Sequence, residues 1–130
     1  MSKKKEKSVQ SIEIPKIILF IAKFLSVFSS KLTTLFAAKL FTTPIKHKIP
    51  KREHAMEHES AQKTITISEI NKEIVVYEYG KSDKKILLVH GWSGRGTQLV
   101  KIADELLKNG FMTISFDAPA HGKSKGNSSI

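Results

Sequence analysis

Between Lys85 and Ser124 two short apolar runs, Ile86-Leu87-Leu88-Val89 and Phe111-Met112-Thr113-Ile114-Ser115-Phe116, flank a stretch of helical periodicity. Nothing else in the chain constrains its fold as much. Brief continuous apolar runs bounded by Gly, Asn and Asp read as strands buried on both faces. Thr97 to Lys108 places Leu99, Ile102, Ala103, Leu106 and Leu107 on one side of a helix, which Asn109-Gly110 ends. Strand, helix and strand in that order make a parallel pair with a right-handed crossover. Upstream, from Lys63, the period is two: Thr64–Ile67 and Ile74–Tyr79 read as strands, with a turn at Ser68–Lys72 and Gly80 closing the second.

Charge divides the chain differently. Residues 1–52 hold 12 Lys/Arg against Glu6 and Glu13 alone, a net of +10, whereas residues 53–130 balance at 10 of each sign. A basic excess confined to one end points to an anionic surface as partner, and the neutral remainder gives no support to nucleic-acid binding. With no Cys, disulfides and thiolate chemistry are excluded.

The basic end begins with a lysine-rich stretch, residues 1–13, of disordered composition. One long amphipathic helix is expected over residues 16–42, opened by Pro15, closed by Pro44 and carrying a stripe of Ile17, Ile21, Phe24, Leu25, Phe28, Leu32, Leu35 and Phe36. Lys16, Lys23, Lys31 and Lys39 argue against a membrane span, since each costs about 2.5–3.5 kcal/mol near the bilayer centre. A basic helix lying in the membrane interface fits better, with packing on protein as the alternative. Residues 44–62 read as a polar, solvated connector. His54 and His58 stand four apart there, without a third ligand, so no metal site is expected. The domains are therefore 1–62, a basic extension, and 63–130, an α/β unit.

Two motifs follow the two buried strands. His90-Gly91-Trp92-Ser93-Gly94 leaves the carboxyl end of the first, where open α/β sheets bind ligands. Asp117-Ala118-Pro119-Ala120-His121-Gly122-Lys123-Ser124 leaves the second; its Asp can accept backbone N–H groups and its Pro stiffens the turn. An H-G pair after one strand, with D-x-P-x-H-G-x-S after the next, resembles the N-terminal half of the α/β-hydrolase family. The resemblance spans roughly Thr64 to Ser129.

That resemblance implies a partial α/β-hydrolase sheet of four strands and an ester or related acyl substrate, with no cofactor. It assigns the backbone N–H of Trp92 to an oxyanion hole and its indole to the pocket mouth. His90, Gly91, Ser93, Gly94, Asp117, Pro119, His121, Gly122 and Ser124 become motif positions of structural weight. The nucleophile, acid and base of the family come later than Ile130, so no catalytic residue is assignable. A truncated product, inactive by itself, is expected, with a separate complementing chain or a non-enzymatic membrane or protein-interaction module as rivals. The family's strand order, 1-2-4-3-5, would leave Ile86–His90 as a bare apolar edge open to strand pairing. A cytoplasmic location is expected, with membrane association through the N-terminal helix.

Three motif matches fail on context. Gly122-Lys123-Ser124-Lys125-Gly126 is a literal G-x-S-x-G, but a Pro-containing loop precedes it and no helix follows, against the nucleophile elbow. Gly91-Trp92-Ser93-Gly94-Arg95 has Arg where the last Gly belongs. Gly122-Lys123-Ser124 lacks the first Gly and the helix of a phosphate-binding loop. His121 precedes any nucleophile position, contrary to the family's order, and is not expected to be the base.

Overall fold

A computed structural model of the chain describes residues 14–129; the stretch expected to be disordered, residues 1–13, lies outside them. The chain divides into two compact units, one up to Lys39 and one from Leu40 onward.

The first unit corrects the single long helix. Helix α1 (Lys16–Phe28) and helix α2 (Ser30–Thr42) are separated at Ser29, whose φ of −165° and ψ of 125° are extended. Ser29 serves both ends. Its N–H donates to Leu25 O at 2.9 Å, closing α1, while its carbonyl and hydroxyl accept from the N–H groups of Thr33 and Leu32 and so open α2. A serine side chain competes for backbone groups in this way, and that makes Ser29-Ser30 a break rather than a continuation. The expected stripe divides with it: Ile17, Phe24, Phe28, Leu32 and Leu35 are exposed, and Ile21, Leu25 and Phe36 are half-buried. No helix among the described residues is long and apolar enough to cross a membrane.

In the second unit a 3₁₀ turn (Lys51–Glu53) leads into helix α3 (His54–Glu59). Then come β1 (Ala61–Ile67), β2 (Lys72–Tyr79), β3 (Lys85–Leu88), a 3₁₀ turn (Gly96–Leu99), α4 (Val100–Lys108) and β4 (Met112–Asp117). The sheet runs β1-β2-β4-β3, with β3 and β4 parallel and the other pairs antiparallel. Tyr77 pairs with Ser115 and Leu88 does too, so β2, β4 and β3 turn a common face toward the core. There Tyr79 and Leu88 meet Met56 of α3 and Val100 and Ala103 of α4.

Three expectations are corrected here. β3 is not buried on both faces: Leu87 and Val89, which alternate away from the core, are 60% and 58% exposed. Among the described residues it is an edge strand, paired with β4 alone. Ile102 leaves the buried side of α4 at 51% exposed and Val100 takes its place, because the helical period sets Val100 beside Ala103 and Leu107 and turns Ile102 away from them. The connector is not simply solvated, since Glu53 and Met56 are fully buried.

Tyr79 lies in this core with its hydroxyl donating to Asp104 Oδ1 at 3.1 Å. Burial first, then the Asp104 hydrogen bond and charge, push its phenol up to about 12. The folded state thus holds this proton more tightly than the unfolded chain, whose tyrosines titrate at about 10. The stabilisation is complete below about pH 10 and is lost as pH rises toward about 12. Urea midpoints measured across that window will fall with pH, and Tyr79→Phe will flatten the slope.

Candidate functional site

Strand β4 ends on Asp117, which is completely buried. One carboxylate oxygen accepts from the Gly96 N–H at 2.6 Å; the other accepts from the Tyr77 hydroxyl at 2.8 Å and the Lys123 N–H at 2.7 Å. The Tyr77 phenol is raised far above its ordinary range, by burial first and then by the Asp117 charge. The carboxylate therefore ties together the turn before α4, strand β2 and its own following loop. Two glycines are required around it. A Cβ on Gly96 would stand 2.7 Å from the Tyr77 ring. One on Gly122, which has φ of +45°, would stand 2.2 Å from the carboxylate.

Ser124 completes the same knot. Its hydroxyl donates to Asp117 O at 2.6 Å and accepts from the Val75 N–H at 2.9 Å, and its side chain is buried. A hydroxyl so committed is a clip between β2 and β4. Lys123, the lysine of the phosphate-loop match, ion-pairs with Glu57 at 2.6 Å and holds the Glu57 carboxyl below the usual carboxylate range.

The loop after β3 is fixed by His90. Its Nε2 accepts from the Ala118 N–H at 3.1 Å, so the ring proton belongs on Nδ1, which donates to Gly91 O at 2.7 Å. The Gly94 N–H donates to the same carbonyl at 2.9 Å, closing a four-residue turn. Gly91 O and the Trp92 N–H belong to one trans peptide and point in opposite directions. With the carbonyl held by two donors, the Trp92 N–H must face away from His90. Among the described residues it has no hydrogen-bond partner. A Cβ on Gly91 would meet nothing within 4 Å, so the loop borders open space. The left-handed residue of this turn is Ser93, with φ of +55°.

The Trp92 indole, expected at a pocket mouth, packs on Phe41 with ring centroids 6.1 Å apart and donates to Phe41 O at 2.8 Å. The Ser93 hydroxyl accepts from the Ile45 N–H at 3.0 Å. His121 is buried against the His90 ring, 4.9 Å between centroids, with Nδ1 3.0 Å from Pro119 O and Nε2 unpartnered among the described residues. No serine hydroxyl among the described residues bonds to a histidine, so the structure assembles no nucleophile–base pair there. His90, Gly91, Trp92, Asp117, Pro119 and His121 are nonetheless brought to one end of the parallel pair.

Sequence reasoning missed Glu53. Its buried carboxylate accepts from the Thr97 hydroxyl at 2.9 Å and lies 3.7 Å from the Arg95 guanidinium, pinning the connector to the turn before α4. The one available signal was Met56, three positions later and the sole large apolar residue between Lys51 and Gln62. His54 and His58 form only an edge-on ring pair, 6.2 Å between centroids.

No family model matches the chain, and no curated protein does. Among solved structures, an esterase from Pyrococcus furiosus superposes with a TM-score of 0.54 at 24% identity, over 68% of this chain and 35% of that one. A bromoperoxidase from Bacillus anthracis aligns at a TM-score of 0.44 and 26% identity, over 50% of this chain and 23% of its own. A thioesterase domain from a curacin biosynthetic pathway aligns at 0.46 and 21%, over 51% and 24%. The chain thus spans about a third of the length of the esterase. Strand order, the parallel β3–β4 pair and the superposition on the esterase together make this a partial α/β-hydrolase fold.

Proposed function

We propose that this chain carries the oxyanion side of an acyl-hydrolase site of the serine type, acting on esters or related acyl compounds. The observation that carries it is the Trp92 N–H, unpaired among the described residues and aimed away from a doubly held Gly91 carbonyl, on a loop bordering open space. A donor held in place before reaction stabilises the developing oxyanion of acyl transfer without reorganising. Ser93 and Ser124 are committed to backbone bonds, which supports a reading in which neither is the nucleophile and the nucleophile, base and acid are supplied from elsewhere. The fold of the esterase supports the reading at the level of architecture.

Assay of the purified 130-residue chain on a short-chain nitrophenyl ester, beside Ser93→Ala and Ser124→Ala, tests where the nucleophile lies. All three are expected at the rate of the buffer blank. Turnover by the chain that disappears in either variant would put a nucleophile in this segment and overturn that part of the reading.

A further inference from the structure

We infer that helix α1 docks on the surface of an anionic lipid bilayer, lying in the interface. Ile17, Phe20, Phe24 and Phe28, at i, i+3, i+7 and i+11, share one face of α1, and each is more than half exposed. The half-buried residues Ile18, Ile21, Ala22 and Leu25 lie on a different face, so the aromatic face is not the one already covered within the structure. The Phe24 and Phe28 rings meet at a tilt of 54°, 4.9 Å between centroids, which makes the patch continuous.

Charge selects the occupant. From Ile14 to Arg52 the chain has 8 Lys/Arg and no Asp or Glu. Lys16 and Lys23 flank the aromatic face, where their stems can lie along apolar surface while the ammonium groups reach lipid phosphates. Attraction of this kind is what anionic headgroups supply and neutral ones do not. At 13 residues α1 is about 20 Å long, short of the roughly 30 Å hydrocarbon core. The apolar face and flanking lysines therefore suit a helix lying at the headgroup boundary.

The test is co-sedimentation of the full chain with vesicles of phosphatidylcholine alone and of phosphatidylcholine with about one-third phosphatidylserine. Binding is expected to the second and not the first, and to weaken as salt is raised. Phe20→Gln/Phe24→Gln and Lys16→Gln/Lys23→Gln should each lower the partition coefficient by about tenfold or more. Both lie on exposed positions of the first unit, so circular dichroism and Trp92 fluorescence should be unchanged. Equal binding to both vesicle types, no binding, or indifference to the phenylalanine pair would overturn the inference. So would a loss of self-association in the phenylalanine variant without lipid, which would assign the face to a second copy of the chain.

Discussion

Asp117→Ala will cost the second unit a large part of its stability, so that it unfolds at markedly lower urea than the parent chain. The carboxylate is completely buried and receives the Gly96 N–H, the Tyr77 hydroxyl and the Lys123 N–H. Hydrogen bonds to a charged group contribute about 1.5–3 kcal/mol each, and leaving the donors buried and unpaired adds a desolvation cost. Their losses are not additive, and about 3–5 kcal/mol in total is expected. Domains of this size are stable by only about 5–15 kcal/mol. Asp117→Asn keeps the shape but turns an NH2 group toward a donor, so its loss should be smaller than that of alanine and still clear. Urea unfolding followed by Trp92 fluorescence reads this directly, since the sole Trp sits in the same unit. Equal midpoints for the parent and Asp117→Ala would mean that the carboxylate does not hold the loops together.

Met56→Ala should lower the stability of the same unit by about 2–5 kcal/mol, the range for deleting a large buried side chain. Met56 is fully buried among Tyr79, Leu88, Val100 and Ala103, although it comes from a segment of charged and polar residues. Met56→Leu conserves volume and should cost less than about 1.5 kcal/mol. If alanine and leucine behave alike and both match the parent in urea, α3 is not part of the core, and the connector reading of residues 44–62 stands.

Met56 also shows where sequence reasoning ran out. The four strands and the α4 crossover were legible because period-two and 3.6-period patterns are properties of consecutive residues, whereas the order β1-β2-β4-β3 was implied only by the family resemblance. What decides a site is contact between distant residues. Glu53 becomes a core carboxylate only because Thr97 and Arg95 are 44 and 42 positions away in sequence and adjacent in space. The long helix failed for a local reason: apolar spacing continued across Ser29-Ser30, but serine capping broke the backbone there. The motif residues were legible, but the left-handed residue of the loop is Ser93, a residue type that gives no signal of a positive φ. His90 looked like a motif letter, and its two ring nitrogens turn out to set the direction of the neighbouring peptide.

The oxyanion assignment rests on that peptide, and one comparison tests it. Residues 40–129 would replace the matching stretch of the Pyrococcus furiosus esterase, and Trp92→Pro would be compared with Trp92→Ala on a nitrophenyl ester. Trp92 is the second residue of the Gly91–Gly94 turn, where proline fits, so the Pro variant removes the N–H without refusing the turn. The Ala variant loses the same indole contacts and keeps the N–H. The account predicts that kcat of the Pro variant falls about 10²–10³-fold below that of the Ala variant, with KM little changed. Equal kcat for the two, in chimeras that both fold, would contradict it.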